Sequence, residues 1–266
     1  MAIVMTANNF VNIAKDIANN KKTLYVYACF GAPMNAANKK RYTNNNSYNK
    51  QASRKTKILN ASSNTFGFDC VCLLKGILWG WSGNVNATYG GAKYASNGVA
   101  DVNADTMYKS YCYDRSTNFS NIIPGEFVWM SGHIGVYIGN GLVVECTPIW
   151  KDGVQITALA NLGKKAGYNN RTWSGHGKSI YLDYSGAKPD NFFEDSKGKG
   201  YYGPGDNSKH LQNVGDFLYK TGLFGPYFGD YLKEVVKVYQ RKHNLEADGN
   251  IGPLTYASLK SNGFKE

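Results

Sequence analysis

Two short segments hold residue types that could carry covalent chemistry. Phe68-Asp69-Cys70 opens an apolar stretch that reads as a helix start. Gly132-His133-Ile134-Gly135-Val136-Tyr137-Ile138-Gly139-Asn140-Gly141 reads as a β-strand that begins on a histidine and ends in a turn. A thiol at a helix N-terminus has its thiolate favoured by free backbone N–H groups and by the positive end of the helix dipole. The expected Cys70 pKa therefore lies below the free value of about 8.5. An imidazole on a neighbouring strand can take the thiol proton and return it to a leaving group. Cys70 and His133 are the minimum equipment for thiol-dependent hydrolysis.

A third residue depends on strand parity. Glu145 follows His133 by twelve positions, on the strand after the turn. Side chains alternate faces along a strand, so a one-residue change in the connection moves Glu145 to the other face. A two-residue Asn140-Gly141 loop pairs Val136 with Glu145 and separates it from His133. A three-residue loop, Gly139-Asn140-Gly141 with Gly141 left-handed, pairs Gly135 with Glu145 and makes His133 and Glu145 diagonal neighbours. The sequence permits both. In the second register Glu145 would orient the imidazole and stabilise its protonated form.

The elements that position these residues follow from periodicity. Residues 6–19 place Phe10, Ile13, Ala14 and Ile17 at helical spacing behind a Thr6 cap, and residues 70–79 put Cys70, Leu73, Leu74, Ile77 and Leu78 on one face. Residues 127–130, 133–138, 142–146, 154–159 and 180–184 are β-branched or aromatic runs bounded by turn residues. Helix first and antiparallel sheet second implies an α+β domain with the Cys70 helix packed on the sheet. Residues 35–64 are rich in Asn, Lys and Ser and read as a long polar insertion. Residues 185–207, with Lys197-Gly198-Lys199-Gly200 and Gly203-Pro204-Gly205, cannot bury much and read as linker.

Composition narrows the function classes. The chain of 266 residues carries a net charge of +11. Residues 1–184 hold 19 Lys and Arg against 9 Asp and Glu, a net +10, so the first unit suits an anionic polymer. The absence of phosphate-loop or zinc-ligand spacing argues against a nucleic-acid enzyme. The five cysteines are an odd number with no Cys-x-x-Cys pair, which disfavours a disulfide framework or a metal site. Cys29, Cys72, Cys112 and Cys146 read as buried structural thiols, Trp79 and Trp81 as core, His176 as a loop residue, and His210 and His243 as surface. No run approaches the roughly 20 apolar residues of a membrane span, and the N-terminal residues show no secretory signal.

Tyr25-Val26-Tyr27, Phe68-Asp69-Cys70 and the Gly132–Gly141 segment, with a polar residue twelve after the histidine, resemble the NlpC-type cell-wall cysteine peptidases. These are papain-like enzymes related to the CHAP amidases. The resemblance implies Cys70 as nucleophile, His133 as base and Glu145 as the orienting third member. It also implies Tyr25 near the oxyanion, with Asp69 beside it on the substrate side, and no cofactor or metal. Three features depart from the family pattern: Val71-Cys72 where Ser-Gly is usual, Ala28-Cys29 where Gly-Gly is usual, and the insertion between Tyr27 and Phe68.

The tail carries a second resemblance. His210-Leu211-Gln212, then Glu234 to Gln240, then Asp248-Gly249-Asn250-Ile251-Gly252-Pro253-Leu254-Thr255 resemble the small three-helix peptidoglycan-binding domain. Leu232, Val235, Val236 and Tyr239 form its expected buried stripe, and Gly249 and Gly252 its turns. The expected organisation is a peptidase domain over 1–184, a linker over 185–204 and a peptidoglycan-binding domain over 205–266. Together the resemblances imply a peptidoglycan hydrolase of the phage-endolysin type that cuts a stem-peptide amide. Its partner would be bacterial peptidoglycan rather than nucleic acid. It would be made in the cytoplasm and act on the wall after release. The alternatives are an N-acetylmuramoyl-L-alanine amidase on the same fold and a non-catalytic wall-binding protein.

Overall fold

The computed structural model describes residues 3–185, 196, 199–220 and 225–264. β1 (Met5–Thr6) leads into α1 (Ala7–Asn20), which begins where the Thr6 hydroxyl accepts from the Asn9 amide at 3.2 Å. Phe10, Ala14 and Ile17 recur along α1 and are fully buried. β2 (Thr23–Tyr25) and β3 (Phe30–Pro33) follow. Then come α2 (Ala36–Asn45), α3 (Ser47–Lys50), α4 (Ala52–Asn60) and β4 (Phe66–Phe68). β4 runs between β2, to which it is parallel, and antiparallel β3.

The polar 35–64 segment is thus a helical excursion. Two of its asparagines are caps: Asn35 accepts from the Asn38 amide at 3.0 Å and Asn46 from the Tyr48 amide at 2.8 Å. Tyr42 and Ile58 carry its few apolar groups into a small core with Val26, Cys29 and Met34.

α5 (Cys70–Leu78) is buried along its whole length, as a helix apolar on nearly every side must be. α6 (Ala104–Tyr111), β5 (Cys112–Ser116), β6 (Phe127–Met130), β7 (His133–Gly139) and β8 (Leu142–Thr147) follow. β9 (Gly153–Leu159), β10 (Asn170–Arg171), β11 (Gly175–Ser179) and β12 (Leu182–Asp183) complete the larger unit. Its main sheet runs β10-β9-β8-β7-β6-β11-β5 and is antiparallel except for the β9–β10 pair. α1, α5 and α6 pack against its centre, so the unit is α+β.

The expected strand over 180–184 is displaced. Ile180 and Tyr181 form a turn, β12 pairs in parallel with β1, and the sheet strand lies upstream as β11. Glycines mask that strand in the sequence because neighbours leave no room for side chains. A Cβ on Gly175 would sit 2.4 Å from the Tyr108 hydroxyl, and one on Gly177 2.9 Å from Arg115 Cγ.

α7 (Lys209–Tyr219), α8 (Asp230–Lys242) and α9 (Pro253–Ser261) build a separate core that includes Leu211, Val214, Phe228, Val236 and Leu259. Leu232, Val235, Val236 and Tyr239 are buried as expected. Gly249 takes φ +79, whereas Gly252 is extended and caps α9 ahead of Pro253. His210 is buried on α7 rather than at the surface.

Of the span read as linker, residues 186–195 and 197–198 lie outside the described residues. Within its remainder, Tyr202 is buried in the helical core and bridges to Ile251, and Lys199 pairs with Asp206 at 2.6 Å. The two units meet where Leu254 enters the space left by two glycines. A Cβ on Gly141 would lie 2.6 Å from its side chain, and one on Gly163 2.9 Å.

Candidate active site

Asp69 fixes the start of α5. One carboxylate oxygen accepts from the Cys72 amide and the other from the Ala28 amide, each at 2.7 Å. The same side chain therefore caps the Cys70 helix and ties it to the segment after Tyr25. Burial holds the Asp69 carboxyl above its ordinary pKa, against these two hydrogen bonds and the Lys75 charge.

Cys70 occupies the first helical position, its Sγ 4.0 Å from the Gly132 carbonyl oxygen. Burial, then the Asp69 charge, pushes its thiol up to about 12. The expected lowering of this pKa is therefore corrected. The backbone donors are present, from Val71, Ile134 and Cys70 itself, but at 9% exposure desolvation outweighs them.

His133 opens β7. Its ring stacks on Trp173 with centroids 5.3 Å apart and planes 11° from parallel, and its Nε2 lies 2.7 Å from Glu145 Oε2. Glu145 is fully buried, and its Oε1 accepts from Thr157 Oγ1 at 2.7 Å and from Arg171 Nε at 2.9 Å. Burial alone would raise its pKa. The hydrogen bond and charge of His133, then those of Arg171, overcome burial and hold the carboxyl below its usual value.

The hairpin reaches this geometry by a route between the two considered. Gly135 pairs with Glu145, the register that puts Glu145 on the His133 face. Yet Gly139 pairs with Leu142, so the loop is the two residues Asn140-Gly141, at φ 55 and 66. The extra residue is taken up earlier in β7, as a bulge at Ile138 between the Tyr137 and Gly139 pairs. Bulge and longer loop each add one residue to the β7 side, so side-chain parity is the same.

Tyr25 ends β2, half-buried, edge-on to Tyr48 at 5.8 Å and beneath Arg54 at 5.7 Å. Burial, then the charge of the Cys70 thiolate, raises the pKa of its hydroxyl. Tyr25, Asp69, Cys70, Asp105 and Gly132 line one groove of about 460 Å³. Asp105 pins the turn before His133 by accepting from the Gly132 amide at 2.9 Å and from Trp129 Nε1 at 2.7 Å.

Arg171, Thr157 and Trp173 are site residues that sequence reasoning missed. No motif surrounds them, but Arg171 and Trp173 flank one residue, the strand alternation that turns two side chains to one face. His176 is no loop residue. It lies buried on β11, with Nδ1 on Glu126 and Nε2 2.9 Å from the Asn118 carbonyl oxygen. Burial would lower its pKa, but the Glu126 hydrogen bond and the Asn118 carbonyl raise it above the ordinary value. No group of three or more His, Cys, Asp or Glu among the described residues could hold a metal ion.

In the helical unit, the buried Gln240 knots the turn between α8 and α9. Its amide nitrogen donates to Asp248 Oδ1 at 2.8 Å and to the Asn250 carbonyl at 2.9 Å, while its oxygen accepts from the Gly249 amide at 2.8 Å. Residues 209–259 match the family described as a putative peptidoglycan binding domain. Gln240 also donates to Thr255 Oγ1 at 3.0 Å, so the Gln, Asp-Gly and Thr positions of the matched segment serve its fold. A separate surface groove of about 410 Å³ opens between Phe217, Tyr219, Val238, Tyr239, Lys242 and His243. The match supports peptidoglycan as the partner of this unit and association with the cell wall. No curated protein and no solved structure matches the chain. Among the described residues no helix is long and apolar enough to cross a membrane.

Proposed function

We propose that the protein is a peptidoglycan hydrolase that cuts an amide of the wall stem peptide through a Cys70–His133–Glu145 mechanism. The observation that carries this reading is the Glu145-bound His133 next in the chain to Gly132, whose carbonyl lies 4.0 Å from the Sγ of the groove-lining Cys70, in a chain with a peptidoglycan-binding domain. Glu145 engages Nε2, which leaves Nδ1 to exchange a proton with the thiol.

Cys70 Sγ attacks the amide carbonyl carbon as its proton passes to His133. The resulting imidazolium, stabilised by the Glu145 carboxylate, gives that proton to the leaving amine nitrogen, and a thioester remains. His133 then takes a proton from water, the hydroxide adds to the thioester carbon, and the carboxylic acid leaves as the thiol regains its proton. A thiol pushed up to about 12 is neutral in the free site, so proton transfer accompanies attack rather than preceding it. Tyr25, which lines the same groove, is the group proposed near the oxyanion, and Asp69 acts by fixing the helix start.

Mass spectrometry of fragments released from purified walls tests the bond assignment. New amino termini within stem peptides are expected. Release of intact stem peptides from the sugar would move the assignment to the amidase, and no released fragment would reject hydrolysis. The endolysin-type mode of action, in which the protein reaches the wall after release from the cell, is part of this proposal and rests on the sequence resemblance.

A further inference from the structure

The helices between β3 and β4 leave a second cavity, of about 350 Å³, beside the Cys70 groove. The two share Tyr27, Ala28, Phe30 and Tyr94 as lining, so one extended ligand can occupy both across a common lip. Asn49 builds that lip: its side-chain oxygen accepts from the Tyr27 amide at 3.1 Å and its nitrogen donates to the Tyr27 carbonyl at 3.0 Å.

Arg41 is the charged residue of this cavity, which is otherwise lined by aromatic rings and amides. Its guanidinium lies 5.0 Å from the Tyr89 ring centre and 5.9 Å from that of Tyr42, and it donates to the Tyr89 hydroxyl. No carboxylate among the described residues pairs with it. A guanidinium oriented by two rings and a hydroxyl, yet lacking a counter-ion, is organised to receive a planar anion. The charge at the other end of the combined groove is opposite on balance, since Asp101 and Asp105 line the Cys70 side against one cation, Lys75, which pairs with Asp101. An anionic group on a bound ligand is therefore drawn toward Arg41.

We propose that this cavity is a substrate pocket in which Arg41 holds a free carboxylate of the stem peptide while the scissile amide lies at Cys70. The proposal rests on the hydrolase reading above. The 35–64 excursion then sets specificity, admitting stem peptides with a free carboxylate over those in which it is amidated.

The test compares two soluble stem-peptide fragments, one with its carboxylates free and one with the same groups as primary amides. The full chain should show a KM about tenfold lower for the carboxylate fragment, the effect expected of one charge-assisted bidentate contact. Arg41→Gln should abolish that preference by raising KM for the carboxylate fragment, with kcat little changed. Arg41→Lys, which keeps the charge but not the fork, should recover part of it. Turnover without any preference, or an Arg41→Gln effect equal on both fragments, would overturn the pocket and leave the hydrolase reading standing. If neither fragment is turned over, the hydrolase reading fails. Calorimetric binding of the two fragments to the Cys70→Ala protein then decides the pocket, with the same tenfold difference expected and equal affinities overturning it.

Discussion

Glu145 meets His133 across the β7–β8 hairpin at 2.7 Å because one residue, Ile138, is bulged out of the ladder between them. The same carboxylate takes Thr157 on its other oxygen and Arg171 Nε across both, so the contact to the imidazole is held from behind. Replacing Glu145 by Gln keeps the shape but removes the charge that stabilises the imidazolium and presents an N–H to one of its donors. Glu145→Gln should lower kcat/KM on wall fragments by about tenfold or more, and Glu145→Ala by about a hundredfold or more. Steady-state kinetics of both variants check the order, which is Gln less severe than Ala.

The depressed Glu145 carboxyl also sets a pH dependence of stability. A group whose folded pKa lies below its unfolded value contributes stability above the ordinary carboxylate pKa of 4.5 and loses it as pH falls through the depressed value. Urea unfolding of the wild type and of Glu145→Gln should differ most at neutral pH. The gap should close as pH falls from about 5 toward 3. A gap that widens on acidification would mean the carboxyl is not held charged by His133 and Arg171.

Deleting Ile138 removes the bulge and leaves the Asn140-Gly141 turn intact. Gly135 then still pairs with Glu145, so His133 and Glu145 stay on one face. Activity in kinetic assays should therefore fall less than in Glu145→Ala; a loss as large would show that the bulge itself seats the carboxylate. Circular dichroism would confirm that the sheet persists.

This hairpin shows what was legible in the sequence. Two glycines around Asn140 announced a connection able to add a residue, and the spacing of His133 and Glu145 announced what the added residue would achieve. Whether the residue sits in the turn or in the strand depends on ladder hydrogen bonds and on neighbouring side chains, which no local pattern encodes. Helices 7–20 and 70–78 were legible because their apolar stripes are long and their caps, Thr6 and Asp69, stand where the stripes begin. The helices of 36–60 were not, since Asn35 and Asn46 read as loop but act as caps. The pKa of Cys70 was misread for a related reason: the dipole is local to the sequence, whereas desolvation comes from β7 and the groove walls. Arg171 reaches Glu145 from β10, 26 residues away, with no motif to mark it.

Asp69 accepts one hydrogen bond from each of two chain segments, and an amide cannot accept on both of its heavy atoms. Asp69→Asn should leave either the Ala28 or the Cys72 amide unpaired and cost about 1–3 kcal/mol of stability. Chemical denaturation measures it. A neutral substitution would show that neither hydrogen bond is needed to hold the Cys70 helix against the Tyr25 segment.

Solubilisation of purified peptidoglycan by the full chain, by Cys70→Ala and by Cys72→Ala tests the central claim most directly. Cys72 lies two positions along the same buried helix and lines the same groove, but the thiol that lies 4.0 Å from the Gly132 carbonyl is that of Cys70. The wild type and Cys72→Ala should release soluble stem-peptide fragments at comparable rates. Cys70→Ala should release none while still sedimenting with the walls through residues 209–259. Release by Cys70→Ala at the wild-type rate would contradict the assignment of Cys70 as the nucleophile.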